Sequence, residues 1–153
     1  MGQSDSLGEI MLTCFKDDKL KRLMGIPQKE WKNLASFRDK YFVPQYGTAN
    51  FVDSTIPVRI HAYWDEAIHT NNTNVYVRRL TFDVYVQKSI EFTATNFGLD
   101  RRHSLITKRL KAIITGKRFG GFLFYSPIEL DLNSNNYDFY RGFIKFNSKY
   151  IGY

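Results

Sequence analysis

The three histidines are the side chains of this sequence best suited to bind a metal ion or to carry protons. His61 falls in a segment with strand periodicity, His69 in a loop and His103 in a segment with helical periodicity. None has a second histidine four residues away, the spacing that places two imidazoles on one helical face. A zinc or catalytic site would need them to converge from separate elements, so the sequence predicts no metal site.

Two pairs of adjacent carboxylates, Asp17 with Asp18 and Asp65 with Glu66, are the other candidates for acid–base chemistry. Neighbouring side chains along a chain usually diverge, so helix capping or loop positions are expected for them rather than catalysis. The glycines around Gly120 lack the lysine and the serine or threonine of a phosphate-binding loop. We therefore expect no enzymatic activity, no catalytic residue and no cofactor.

The composition fits one globular domain with a positive surface. The chain has 153 residues and a formal net charge of +7, which favours approach to nucleic acid, an acidic protein or a lipid headgroup. Cys14 is the one cysteine, which excludes an intramolecular disulfide and favours reducing surroundings. No apolar run approaches the ~20 residues that a spanning helix requires, so neither secretion nor a membrane partner is expected.

The strongest helical pattern lies over residues 99–115 and separates an apolar arc from a basic one. The apolar arc consists of Leu99, His103, Ile106, Leu110, Ile113 and Ile114. Asn96 or Asp100 is placed to cap the start of the helix, and Gly116 follows its end. The candidate contacts to DNA or to an acidic partner are Arg101, Arg102, Lys108, Arg109, Lys111, Lys117 and Arg118. The simpler interpretation is that these charges only keep an outer helical face soluble.

Alternation of apolar and polar residues predicts two antiparallel hairpins, with polar tips at residues 70–74 and 133–136. Their strands are expected at residues 56–64, 75–88, 122–132 and 137–147. Pro127 indicates an edge strand or a bulge. In that strand the side chains expected to face inward are Phe124, Ile128, Leu130 and Leu132. The segment at residues 91–98 is expected to be a polar and aromatic connector.

The N-terminal part is predicted to be helical. Residues 1–13 before it are expected to be frayed or to form an arm that orders only on contact with a partner. Helices are expected over residues 15–24, capped by Asp17 or Asp18, and over residues 28–40. The fold class is therefore α+β, an antiparallel or mixed sheet of about four to five strands with one amphipathic helix packed across it, plus N-terminal helices. Residues 1–50 are expected to form the helical part and residues 51–153 the α+β module of a single domain.

Aromatic residues are more numerous than a small core needs, with 13 Phe and 10 Tyr. Such rings are enriched at protein interfaces, and rings on a strand can also stack on bases. Four of them on the outward-facing side of the strands are candidate subunit contacts: Tyr63, Tyr85, Phe139 and Phe143. Core and cross-strand pairs are the alternative.

The segments between residues 55 and 147 follow a particular order. A strand TIPVRIHAYW and a polar tip lead into the strand RRLTFDVYVQ, then the helix LDRRHSLITKRLKAIITG, then the strands FLFYSPIELDL and DFYRGFIKFN. This order resembles the tail-terminator and head-to-tail connector (neck) proteins of tailed bacteriophages.

The resemblance implies a noncatalytic virion protein, made in the host cytoplasm, that closes into a homo-oligomeric ring, a hexamer or a dodecamer. Its implied partners are copies of itself, portal, adaptor or tail-tube proteins, and DNA passing non-specifically through the channel. A ring of this kind needs two different complementary patches on each subunit, for which the aromatic residues are candidates. The alternative is a small basic nucleic-acid-binding module that uses the basic helix directly.

Overall fold

The computed structural model describes residues 3–44, 56–69, 76–96, 98–132 and 138–152. The two predicted polar tips, at residues 70–74 and 133–136, lie outside the described residues. The N-terminal part is helical: α1 spans Gln3–Phe15, α2 spans Asp18–Leu23 and α3 spans Leu34–Ser36. A 3₁₀ turn at Gln28–Glu30 precedes α3, and a π turn at Phe37–Tyr41 follows it.

Helix α1 occupies most of the segment in which a frayed arm was expected, so that prediction is wrong for the described residues 3–13. Ile10 and Cys14 are buried in the core. The hydroxyl of Ser6 donates to the carbonyl of Phe119 at 2.7 Å. The backbone N–H of Gly120 donates to Glu9 at 2.6 Å. The first residues are polar, but the apolar side chains that follow them, such as Ile10, pack into the core.

Gly120 is required at this docking point. Its φ is +56°, and a Cβ atom there would lie 2.6 Å from the backbone nitrogen of Ser6. A larger residue would therefore be strained in its backbone and would also push α1 away from the turn.

The helix predicted over residues 15–24 forms as α2, but it starts at Asp18, because Phe15 belongs to α1. The predicted cap and the glycine after its end are confirmed. Asp17 accepts a hydrogen bond from the N–H of Leu20 at 2.7 Å, and Gly25 follows the helix with φ +70°. The single helix predicted over residues 28–40 is instead broken. Asn33 accepts from the N–H of Ser36 at 3.0 Å and starts a new short helix, because an asparagine side chain at this place competes for the backbone.

The main sheet has six strands among the described residues. The long strands are β2 (Val58–His69), β3 (Tyr76–Gln87), β7 (Phe122–Leu132) and β8 (Phe139–Tyr150), and the short ones are β1 (Phe42–Val43) and β6 (Arg118–Phe119). Their order in the sheet is β1-β2-β3-β8-β7-β6. Only β1 pairs in parallel, with β2, and the other described pairs in this sheet are antiparallel. The α+β class with a mixed sheet is confirmed, and both predicted hairpins form.

Helix α4, Arg102–Ile114, packs across one face of the sheet. Its buried side includes Ile106 and Leu110, which belong to the same core as Leu80, Phe82 and Val84, the inward-facing side chains of β3. Side chains of α1 and α2 belong to the same continuous core, so helices and sheet share one interior. The boundary expected near residue 50 falls outside the described residues and stays a prediction.

A bulge in β7 reverses the direction of the side chains that follow it. Tyr125 pairs with Asn147 and Ile128 pairs with Lys145, so two residues of β7 face one residue of β8. The bulge expected at Pro127 is confirmed. Its consequence was missed, because the extra residue turns Ile128 and Leu130 away from the core, where they are 44% and 50% exposed.

A second, two-stranded sheet lies where a connector was expected. Strands β4 (Phe92–Thr95) and β5 (Gly98–Arg101) pair with each other, and α4 begins only at Arg102. Leu99, expected on the buried side of the helix, lies in β5 and is 73% exposed. Neither Asn96 nor Asp100 caps α4. Asp100 accepts a hydrogen bond from Thr95 at 2.6 Å instead.

Candidate functional site

Four of the seven basic candidates are exposed and three are engaged inside the fold. Lys108, Lys111, Lys117 and Arg118 face solvent. Arg101, Arg102 and Arg109 are only partly exposed. The outward-facing role predicted for these three arginines is weakened by the contacts that they make.

Arg102 and Arg109 hold α4 against the N-terminal helices. The guanidinium of Arg102 donates to the carbonyl of Leu23 at 2.7 Å and to that of Ile90 at 2.9 Å. Arg109 forms a two-point ion pair with Asp17, with Nε donating to Oδ1 at 3.0 Å. The guanidinium of Arg101 lies over the ring of Tyr140, 4.6 Å from its centroid.

The pair between Asp17 and Arg109 changes the acidity of the carboxyl. Burial pushes the pKa of Asp17 up, but hydrogen bonds from Arg109 and from the N–H of Leu20 more than offset it, so the pKa of Asp17 falls below its ordinary value. Because Asp17 meets Arg109 and Leu23 meets Arg102, α2 runs antiparallel along α4.

This helix pair presents a positive surface that the sequence pattern of one helix did not reveal. Both helices of this antiparallel pair carry exposed cations. We call Lys19, Arg22, Lys108 and Lys111 the basic face. The acidic exception on α2 is Asp18, which pairs with Lys21 at 3.3 Å. Lysines and arginines arranged in this way attract phosphates or carboxylates without reading a sequence.

The aromatic candidates lie on the sheet face opposite the helices. Phe139 and Phe143 are buried within the subunit itself, which leaves little of either ring for a neighbour and corrects the expectation that they are accessible. Tyr63 and Tyr85 stay partly exposed. The guanidinium of Arg141 lies 5.6 Å from the ring centroid of Tyr85.

A network of ion pairs links strands β2, β3 and β8 on this face. Asp83 accepts from Arg141 at 2.8 Å and from the hydroxyl of Tyr63 at 3.1 Å. Burial raises the pKa of Asp83 although Arg141 and Tyr63 act in the opposite direction. Asp65 similarly accepts from Lys145 at 2.7 Å. These contacts fix strand positions, and we assign them a structural role.

The histidines occupy separate places. His61 is buried beside the ring of Tyr85, and His103 is buried against Glu91. The side chain of His69 lies outside the described residues. In the described part of the chain no group of three His, Cys, Asp or Glu side chains is arranged to hold a metal ion. Absence of enzymatic activity stays a prediction.

Exposed apolar side chains form two further surfaces that sequence reasoning missed. On the β4–β5 hairpin, Phe92 is 57% exposed and lies on the same side as Ala94 and Leu99, because Ala94 pairs with Leu99. On β7, Ile128 and Leu130 are exposed. The alternation in FTAT before an Asn-Phe-Gly turn was the available signal for the hairpin. Among the described residues, no helix is long and apolar enough to cross a membrane.

Residues 17–146 match the family model YomW, which is most of the chain. The chain belongs to the YomW family. The match covers α2, α4 and nearly all of the six-stranded sheet, so the family's defining region includes the basic face and both apolar surfaces. No curated protein sequence matches this YomW-family chain.

The fold of this YomW protein is similar to that of a chain in the "Virion of native gene transfer agent (GTA) particle". The TM-score is 0.55 at 11% sequence identity, and the alignment covers 97% of this chain and 96% of that chain. At this identity the likeness concerns the fold. It extends over nearly the whole length of both chains, helical N-terminal part included.

Proposed function

We propose that this YomW-family protein is a structural virion protein, a subunit of a ring in the neck or tail-terminating assembly of a phage-like particle. The observation that carries the proposal is the fold similarity to a chain of a gene transfer agent virion over 97% of this chain. The alignment covers nearly all of both chains. The similarity therefore concerns the whole subunit fold and not one shared motif.

The surface of the single subunit supports a role in assembly. Exposed apolar side chains gather on the β4–β5 hairpin and on β7, on two different elements. Clusters of this kind on soluble proteins usually mark contact surfaces. A ring needs two different patches per subunit that bind each other. Among the described residues, the β4–β5 hairpin and β7 are the candidates that we propose for these two patches.

The positive charge supports a place near DNA or near acidic virion proteins. The net charge is +7, and the basic face is carried by two neighbouring helices. In the proposed ring it faces either the DNA of the channel or a portal, adaptor or tail-tube subunit. Binding of this kind depends on salt and not on sequence.

The direct test is to find the protein in purified particles and to place it by cryo-electron microscopy. We expect a ring of copies, a hexamer or a dodecamer, at the junction of head and tail. A protein that is abundant in the producing cells but absent from purified particles would contradict the proposal.

The second candidate function is a small nucleic-acid-binding module, which the basic face favours. In that case the purified protein binds duplex DNA as a small species, with an affinity that falls steeply with salt. Removing two phosphate contacts with Lys108→Ala and Lys111→Ala then reduces the slope of log K against log salt by about 2. The matched control is Lys29→Ala with Lys32→Ala, two exposed lysines outside the basic face. If the protein is instead a ring subunit, its DNA binding is weak. Both double variants then change the affinity for DNA only slightly and to the same extent.

A further inference from the structure

The sheet face opposite the helices has two parts that differ in how their charges are balanced. In one part the cations of β8 have carboxylate partners. Arg141 pairs with Asp83 at 2.8 Å. Lys145 pairs with Asp65 at 2.7 Å. Because these pairs offset their charges within the subunit, this part of the face offers little net charge to a partner.

The other part of this face carries two cations that are not balanced. Arg118 of β6 pairs in register with Leu123 of β7, and Leu123 pairs with Lys149 of β8. Residues paired across strands lie on the same face. Leu123 points away from the core, because its chain neighbour Phe124 is buried there. Arg118 and Lys149 are therefore on the outer face, where both are exposed and form no ion pair among the described residues.

Arg79 of β3 adds a third cation to this part of the face. It pairs in register with Asn147 of β8, which pairs on its other side with Tyr125 of β7. Nε of Arg79 donates to Oδ1 of Asn147 at 3.2 Å, and no described carboxylate pairs with this guanidinium. Asn147 is two residues from Lys149, so both point to the same side of β8. We call Arg79, Arg118 and Lys149 the outer basic end.

We propose that the outer basic end binds the phosphate backbone of duplex DNA. The proposal rests on the ring function proposed above and names the surface that faces the DNA. Arg, Lys, Asn and Tyr are side chains that contact phosphates in protein–DNA complexes, and Asn147 and Tyr125 lie between these cations. Neighbouring strands are ~4.8 Å apart, so cations on β6, β8 and β3 spread over roughly 14 Å and reach several phosphates.

The distribution of apolar side chains favours DNA over an acidic protein as the partner. Interfaces between proteins usually have an apolar centre with a polar rim. The exposed apolar side chains of β7, Ile128 and Leu130, lie past the bulge and not among these cations. A sheet surface presents no helix to enter the major groove. The binding is therefore independent of base sequence and weakens with salt.

The test measures binding of the full chain to a fluorescein-labelled DNA duplex of about 30 base pairs by fluorescence anisotropy at several salt concentrations. We expect Arg118→Ala with Lys149→Ala to weaken binding at least about 10-fold at ~50 mM salt and to reduce the slope of log K against log salt by about 2. Arg79→Ala alone reduces the slope by about 1. The matched control is Lys108→Ala with Lys111→Ala, which removes the same charge from the basic face and leaves the slope unchanged.

Circular dichroism checks folding, and glutamine replaces alanine at both positions if the double variant does not fold. An equal or larger effect of the control assigns the DNA to the basic face and overturns the proposal. Binding that is undetectable at ~20 mM salt also overturns it. The third contrary outcome is tighter binding to polyglutamate than to the duplex, lost in Arg118→Ala with Lys149→Ala, which assigns an acidic protein to this surface.

The ring function fails separately, when the natural protein is absent from purified particles. A map of the particle that contains a ring of this protein, with the outer basic end turned away from the DNA channel, refutes this assignment alone. A map in which the outer basic end lines the channel supports both.

Discussion

Glu91 binds His103 at two points in the interior of the protein. Its carboxylate accepts from the backbone N–H of His103 at 2.9 Å and from Nδ1–H of the same residue at 2.8 Å. The backbone carbonyl of Glu91 also accepts from the N–H of Arg102. Arg101, the residue before α4, provides no side-chain cap. Glu91, which lies outside the helix, therefore caps the first backbone N–H groups of α4.

Replacing Glu91 with Ala is expected to lower the free energy of unfolding by about 3 kcal/mol, because it leaves the buried groups of His103 without their acceptor. Urea denaturation measures the change. Glu129→Ala is the control, since that exposed carboxylate has no described partner, and its effect should stay within about 0.5 kcal/mol. Equal effects of the two substitutions would show that the pair does not stabilise the helix.

Substitutions of Leu110 and Leu99 distinguish the helix predicted over residues 99–115 from α4, which begins only at Arg102. Leu110 is fully buried, so Leu110→Ala should cost about 2–5 kcal/mol. Leu99 lies on the exposed hairpin, and Leu99→Ala should cost the monomer less than about 0.5 kcal/mol. Thermal unfolding at low protein concentration measures both. A large loss of stability in Leu99→Ala would indicate that Leu99 is buried and that α4 begins before Arg102.

Two glycines should respond to alanine in opposite directions. A Cβ atom on Gly142 would lie 2.6 Å from Cδ2 of His103, so Gly142→Ala should destabilise the protein by about 1–3 kcal/mol. Gly8 is inside α1 with nothing within 4 Å of such an atom. Gly8→Ala should therefore stabilise the protein by about 0.5–1 kcal/mol. Chemical denaturation of both variants gives the signs, and destabilisation by Gly8→Ala would argue against α1.

The ion pair between Asp17 and Arg109 predicts a stability that depends on pH. The pKa of Asp17 is lowered in the folded protein, so its contribution is present above the ordinary value of 3.8 and is lost as the pH falls through the folded value. Asp17→Asn keeps a capping side chain and removes the charge. Its cost, about 1 kcal/mol at pH 7, should shrink as the pH is lowered below that value.

The control for this experiment is Asp39→Asn. Asp39 is exposed and pairs only with its chain neighbour Arg38 among the described residues. Urea denaturation across the acid range should give a small and nearly constant effect for it. A cost of Asp17→Asn that does not change with pH would mean that the charge of Asp17 contributes nothing.

The regular part of this fold could be predicted where apolar residues occupy every second position of a strand, as in the first half of β2 and in β3. The alternation of Val58, Ile60 and Ala62, and of Leu80, Phe82 and Val84, indicated the buried side correctly. The same rule failed after Pro127, where one extra residue reversed the alternation. Periodicity carries no information about such an insertion unless the partner strand is known.

The candidate site was harder to predict for a different physical reason. The helical pattern placed Arg102 and Arg109 on the flank of α4, but only the packing of α2 showed that both arginines are engaged there. Phe139 and Phe143 have strand spacing that fits either an interface or an interior, and the network around Asp83 lies on the same face. The numbers of basic and aromatic residues indicated which kinds of surface the protein has, but not where on the fold these surfaces lie.

Cys14 lies in the interior with no exposed surface, and burial raises the pKa of its thiol, so it stays protonated and slow to react. It is also the one sulfhydryl in the sequence. A reporter group attached through a new cysteine on the outside will therefore sit at a single chosen position, without removal of the natural residue. Fluorescent or spin probes can then report on one chosen surface at a time and test the proposed incorporation of this protein into particles.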